Sequence, residues 1–402
     1  MTEMPTRADA SRLDGLAVYL ALTQFLLLAT WTVYVIFLPR LLTSVGVEAR
    51  WAGWVLLADQ MLFACFDVAA GFAADRAFRL FARIGRVVAA VGALSCLAFL
   101  ALPWVAGAGV GPAGFLLLVA LWAVTSSALR APFFGLLARH APLQSVPRLA
   151  GVALAGMGLA AAASPYLGTL MTGVDPRLPF AVSSLALLAV VLGLVAAERR
   201  WVPPAGPVAV PAPPAVPAWG FLAALLLAAL ACQIGVFLNA GPRYLREAGQ
   251  DWLPWLLPVF WIGFSLAVFS ADRLNPRWGS ARVFGVAGLV GAGGFGVAAL
   301  PGLTAAVGGY LVAGIGWGAA LASAFGLAAE CGRPGRVATH MGLLLAVLAA
   351  AAFLRIAASL AGWPKQPDLA PVLALGPVVG WTLGGLLVLW LWRTRRPRPG
   401  IV

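Results

Sequence analysis

Twelve apolar stretches dominate the 402-residue chain, nearly all reaching the ~20 helical residues that cross a hydrocarbon core. They lie at about 15–38, 52–73, 86–106, 113–137, 150–173, 179–197, 219–240, 253–271, 283–301, 304–328, 341–363 and 371–392. Each is continuous in Leu, Ala and Val, where a membrane barrel strand would alternate apolar and polar residues. Without water to satisfy the backbone, such a segment crosses a bilayer as a helix. The expected fold is all-α and integral to the membrane, with twelve transmembrane helices. Only 10% of residues are charged, which excludes a soluble enzyme of this length.

The charged minority carries a direction. There are 27 Lys+Arg against 14 Asp+Glu, a net +13. Nineteen of the bases fall on the side of both termini. Six (Arg40, Arg50, Arg177, Arg243, Arg246 and Lys365) lie in the opposite loops, and Arg130 and Arg355 lie inside predicted helices. By the positive-inside rule both termini are expected to be cytoplasmic. Clusters such as Arg76, Arg79, Arg83 and Arg86, or Arg393, Arg395, Arg396 and Arg398, abut spans and read as topology plus attraction to anionic headgroups. No aromatic-interleaved basic domain is present, so no nucleic-acid partner is expected. The first span is too long for a signal-peptide core and lacks a cleavage site, so it is expected to remain in the mature protein. Cys65, Cys96, Cys232 and Cys331 are scattered, which argues against a disulfide framework and a metal cluster; no metal or cofactor is expected. Richness in Ala, Gly, Arg and Pro points to a GC-rich, bacterial coding sequence, and hence to a bacterial inner membrane.

Between the sixth and seventh stretches, the segment from Glu198 to Pro217 is rich in proline, which disfavours helix and favours extended polyproline geometry. It divides the chain into an N-terminal six-helix half (1–197), a linker (198–218) and a C-terminal six-helix half (219–402). The halves echo one another. Phe37-Leu-Pro-Arg40 precedes a stretch ending in Ala74-Asp-Arg76; Phe237-Leu, then Pro242-Arg243, precedes one ending in Ala271-Asp-Arg273. Arg148 with Gly151 is likewise echoed by Arg336 and Gly342. Two pseudo-symmetric six-helix bundles describe a rocker around a central cavity.

The segment Gly71-Phe-Ala-Ala-Asp75-Arg76, followed by Arg79, Gly85 and Arg86, resembles motif A of the major facilitator superfamily. Its place, at the end of the second of twelve spans and before a basic loop, carries the resemblance. What the resemblance implies is a transporter fold in which Asp75 latches the cytoplasmic side shut, Asp75 and Gly71 meeting the start of the eleventh span. Gly71 allows close helix approach, and Asp75 sits where another helix's positive N-terminus can meet it. The second copy keeps Asp272, Arg273 and Arg277 but has Val268 at the glycine position. Ser164-Pro165-Tyr-Leu-Gly168, with Gly151, Gly156 and Gly158 upstream, is similar to motif C of the antiporter branch; read without the family, it is a Pro-kinked helix packed through small residues.

Charges inside the membrane oppose insertion by about 2.5–3.5 kcal/mol each and so mark functional positions. Here they are Asp59, Asp67, Arg130 and Arg355. At 1.5 Å per helical residue, with Asp75, Arg139 and His340 as markers, Asp67 and Arg130 lie about 12 and 13 Å deep, and Asp59 and Arg355 about 24 and 22 Å. Two layers are expected: an inner pair Asp67–Arg130 within the N-terminal half, structural or coupling, and an outer pair Asp59–Arg355 across the halves. Arg40 is a competing partner for Asp59. A carboxylate that loses its Arg partner takes a proton more readily, which makes Asp59 the candidate proton carrier. Gln60 shares a stripe with Asp67, Gly71 and Asp75. Gln24, Trp31, Tyr34, Gln60, Gln233 and Asn239 are candidates for the cavity wall, and Trp261 and Trp317 invite either that role or packing.

The expected function is secondary active transport of a small organic solute by alternating access, coupled to protons and carried out by a monomer. No Gly-x-x-x-x-Gly-Lys occurs. Export fits the motif C-like stretch; uptake of a small organic anion fits Arg130 and Arg355, since Arg forks match carboxylates. A membrane enzyme would need a nucleophile and base or metal ligands, whereas His140 and His340 fall in loops and no His-Glu-x-x-His or Gly-x-Ser-x-Gly occurs. A non-transporting receptor or scaffold is the remaining class.

Overall fold

A computed structural model describes residues 7–80, 84–202, 213–332 and 335–395, and among these there is helix but no strand. Twelve helical segments are long and apolar enough to cross a membrane. Spans 1 to 6 are Ala10–Ser44, Ala49–Leu80, Gly85–Gly107, Gly111–His140, Leu143–Leu170 and Arg177–Trp201. Spans 7 to 12 are Ala218–Ala248, Gln250–Val268, Ser280–Ala299, Leu303–Gly332, Val337–Leu360 and Pro367–Arg395. Spans 1, 2, 4, 7 and 10 have 30 to 35 residues and exceed the apolar stretches that mark them. Thirty helical residues rise about 45 Å, the bilayer with its headgroups, so these helices run on through their polar ends. Twelve crossings put both termini on one side, called proximal here; the other side is distal.

The helix of span 6 continues through Glu198 to Trp201, so the expected linker boundary falls inside a helix. Glu198 is buried, and its carboxylate accepts from Ile84 N and Gly85 N, each at 3.0 Å, satisfying the open N–H groups at the start of span 3. Residues 203–212 of the expected linker, and Arg83, Arg333, Arg396 and Arg398 of the basic segments, lie outside the described residues.

Span 1 packs on span 5 and span 3 on span 6; in the second half span 7 packs on span 11 and span 9 on span 12. That offset of six is the repeat. The halves meet along two seams, span 2 against span 11 and span 5 against span 8, with span 11 also packed on span 4 and span 10 on span 5. Small residues let backbones approach there. Gly71 lies against the carbonyl of Ala338, Gly342 against that of Asp67, and Gly53, at the distal end, against Leu360. In the other seam Gly151 lies against the carbonyl of Val268 and Gly158 against Phe264 and Ser265. The Tyr166 and Trp255 rings close its distal end, centroids 4.8 Å apart. Both seams therefore run the length of the bundle.

The C-terminal half is held the same way. Gly294 of span 9 faces the backbone of Gly309 and Ala313 in span 10, while its neighbour Gly293 faces open space. Gly294→Ala should therefore lower stability by about 1–3 kcal/mol through overpacking, whereas Gly293→Ala should be neutral or stabilising, since Ala exceeds Gly in helix propensity by about 1 kcal/mol. Thermal unfolding of the two variants in detergent measures this; equal melting temperatures would contradict the close packing.

Candidate functional site

On the proximal side Asp75 joins the halves. Its Oδ1 accepts from Ala338 N at 3.0 Å, and its Oδ2 from Thr339 N at 2.8 Å and Thr339 Oγ1 at 2.7 Å. Ala338 and Thr339 are in the first turn of span 11, whose N–H groups have no partner within the helix and whose dipole favours a carboxylate. A side chain at position 71 would collide with the Ala338 carbonyl, so Gly71 sets the approach that Asp75 exploits. Arg76 is exposed, its guanidinium 5.5 Å from the Phe72 ring centroid. The second copy differs. Span 8 ends at Val268, and Asp272 and Arg273 sit on a separate helix, Ala271–Trp278. Arg273 is exposed, and the Asp272 side chain lies outside the described residues.

About 12 Å above Asp75 along span 2, Asp67 Oδ2 lies 3.2 Å from Arg130 Nη1. Asp67 is fully buried. The buried Ser127 hydroxyl is a polar neighbour of its carboxylate. The Arg130 guanidinium lies 5.0 Å from the Phe63 ring centroid. Arg130 stands at a break in span 4: helix Gly111–Ser126 tightens to a 3-10 turn, Ser127–Leu129, and resumes at Ala131. Arg130 has φ −115° and ψ −86°. Pro132, without an N–H, cannot carry the helical ladder through. Gln24 Nε2 donates to the Leu129 carbonyl at 3.3 Å, so Gln24, expected on a cavity wall, supports the break. Discontinuous helices at membrane depth are tolerated where polar groups satisfy the backbone, and they accompany transport sites.

The expected outer pair does not form. Asp59, 2% exposed, accepts a hydrogen bond from Tyr34 Oη at 2.8 Å, and among the described residues no Lys, Arg or His is within ion-pair distance of it. Arg40, its other expected partner, donates instead to the Val174 carbonyl at 3.1 Å. Arg355 Nε donates to Gln233 Oε1 at 3.2 Å. Spans 2 and 11 are packed together, but each side chain turns back into its own half, Asp59 to Tyr34 and Arg355 to Gln233.

Tyr34, the hydrogen-bond partner of Asp59, belongs to an aromatic cluster. Tyr34 lies 4.6 Å from Trp122, and Trp31 lies 5.5 Å from Tyr34, 5.4 Å from Phe63 and 6.0 Å from Trp122, centroid to centroid. Trp122, Phe63 and Ser127 are additions that the sequence reading missed; the Pro132 two residues past Arg130 was the available signal for the break. Gln60 is buried. Gln233 immediately precedes a π-helical turn, Ile234–Asn239, and Asn239 Nδ2 donates to the Leu373 carbonyl of span 12 at 2.8 Å. Trp317 is buried and stacked on Trp381, a packing role. His140 and His340 bond the carbonyls of Leu136 and Arg336, four residues back. Among the described residues no cluster of three or more His, Cys, Asp or Glu could hold a metal.

The family model described as Major Facilitator Superfamily matches residues 20–354. No curated protein matches the sequence. Solved structures do match in fold. A bacterial homologue of the iron transporter ferroportin, in an outward-facing state, aligns with a TM-score of 0.73 at 12% identity over 94% of this chain and 100% of that one. The E. coli fucose:proton symporter FucP aligns at 0.69 and 12%, over 95% and 98%, and the human organic anion transporter MFSD10 (TETRAN) at 0.61 and 16%, over 97% and 99%.

Arg130→Ala leaves Asp67 buried without its cation and should lower stability by about 3–5 kcal/mol. The double variant Asp67→Asn with Arg130→Gln removes both charges and should recover most of that loss. Thermal unfolding in detergent compares the two, and equal losses would show that the charge pair is not the cause.

Proposed function

The chain belongs to the major facilitator superfamily and is a secondary transporter, and on that premise we propose that it exports a small organic solute in exchange for protons. It acts as a monomer in a bacterial inner membrane, with both termini cytoplasmic as the basic segments indicate. Residues 1–197 and 219–402 rock as two bodies, and the Asp75 contact holds the cytoplasmic side shut until the carrier turns inward.

The observation that carries proton coupling is Asp59: a buried carboxyl in a membrane span, with a neutral hydroxyl as its hydrogen-bond partner. A buried carboxyl that lacks a cation is tolerated only if it can shed its charge. A phenol hydroxyl can donate to a carboxylate or to the carbonyl oxygen of a carboxylic acid, so the Tyr34 bond accommodates either form. Asp67 is different. Its charge is matched by Arg130 inside the same half, which suits holding the break in span 4 in register while that half moves. Export is supported by the place of the motif C-like stretch: Tyr166 and Gly158 lie in the span 5–span 8 seam, and Ser164 accepts from Thr32 of span 1 at 3.3 Å.

Proteoliposomes loaded with the pH dye pyranine and challenged with organic acids, sugars and cationic drugs test the coupling. Wild type should move protons when its solute is added. Asp59→Asn, which keeps a hydrogen-bond acceptor for Tyr34, should abolish that proton movement at least tenfold and leave solute exchange at equal pH intact. Undiminished proton movement in Asp59→Asn would remove Asp59 as the carrier.

A further inference from the structure

Arg355 is a cation inside the membrane whose charge nothing in the described structure balances. No carboxylate lies within ion-pair distance of it among the described residues. The other intramembrane base, Arg130, has Asp67. Arg355 lies about 7 Å below the distal end of span 11, five residues from Leu360, yet it does not extend to that surface. Gln233 takes its Nε–H, and its guanidinium lies 5.1 Å from the Phe237 ring centroid. With Nε held, the two terminal nitrogens form a fork matched to a carboxylate. The side chain is half-buried.

The same residues show which way the fork faces. Phe237 contacts Arg355 of span 11 and also Trp261 of span 8, ring centroids 6.4 Å apart. Spans 11 and 8 both meet the N-terminal half, span 11 through span 2 and span 8 through span 5. A ring on span 7 that bridges them faces the space between the halves, not the lipid. Phe237 is nonetheless 49% exposed, so that space is open at the ring. Phe237 lies within the π-helical turn Ile234–Asn239 and Gln233 immediately before it, a rare element that concentrates at functional sites.

We infer that Arg355, Gln233 and Phe237 form the subsite that anchors the carboxylate of an amphipathic organic acid, with the acid's apolar body against Phe237 and Trp261. The inference rests on the transporter reading above and specifies its solute as an organic monocarboxylate. Gln233 positions the guanidinium, the Arg355 fork takes both carboxylate oxygens, and Phe237 supplies a face for an aromatic or branched body. The charge balance follows: the site is cationic when empty and neutral when loaded, so a carboxylic acid amide, which lacks the charge, is refused.

The test is thermal unfolding of the full chain in detergent with benzoate, phenylacetate and indole-3-acetate, each beside its primary amide. At least one carboxylate should raise the melting temperature by about 2 °C or more when well above its Kd, and its amide should not. Arg355→Gln should abolish the shift, while Arg40→Gln, whose residue bonds the Val174 carbonyl outside this space, should keep it. Should Arg355→Gln fail to fold, Phe237→Ala serves instead and should weaken carboxylate binding at least threefold; saturable quenching of tryptophan fluorescence in the wild type, reduced in Trp261→Phe, gives a second reading. No shift with any of the three acids, equal shifts with their amides, or a shift that survives Arg355→Gln would overturn the inference. Binding is measured without a proton gradient, so it stands or falls separately from proton coupling through Asp59.

Discussion

One carboxylate, Asp75, accepts three hydrogen bonds from the first turn of span 11, and the rest of the arrangement is registered to that contact. Charge-assisted bonds to orphan N–H groups are stronger than neutral ones, and this one fixes both the axial and the angular relation of two long helices from opposite halves. Gly71 makes the approach close enough, Gly342 repeats the device one turn further along span 11, and Gly53 with Leu360 ends the seam on the far side. This polar contact sits beside apolar packing between the halves, such as Phe134 against Phe325 with ring centroids 4.3 Å apart.

The seam also places the ionisable groups. Asp59 and Arg355 lie on the two helices of that seam but do not neutralise one another: Asp59 bonds Tyr34 in one half and Arg355 bonds Gln233 in the other. Each charge travels with its own half, so rocking moves them without first breaking a buried ion pair, a step that would leave two uncompensated charges. Asp67 and Arg130, by contrast, are matched within one half and sit at the break in span 4. This division gives each half one group with an unmatched duty, a proton on Asp59 and an anion on Arg355, in the proposed cycle.

Much of the fold was legible because membranes impose it. Continuous apolar runs locate helices, and a glycine four residues before Asp75 announces a close helix end. The meeting of Asp75 with span 11 came from family resemblance and not from periodicity. Pairing of Asp59 was misread for a definite reason: helical rise gives depth from one sequence, but the direction of a side chain relative to a neighbouring helix depends on how the two are rotated in the bundle. The break between Val268 and Ala271 has no Pro or Gly to mark it, so the second motif copy looked continuous with span 8. The π-helical turn in span 7 changes the phase of the helix, and no Pro or other residue pattern in Ile234–Asn239 announces it. Only the break at Arg130 carried a visible sign, in Pro132.

The central claim is that the Asp75 contact holds the proximal side closed and that its release lets the halves part there. Pulsed electron-spin distance measurements between labels at Arg79 and Arg336, both exposed and flanking that contact, test it most directly, in full-length protein whose four native cysteines have been replaced. The wild type should give a single short distance, and Asp75→Asn should add a second population at least 5 Å longer, consistent with the scale of domain rocking. A distribution that Asp75→Asn leaves unchanged would contradict the claim.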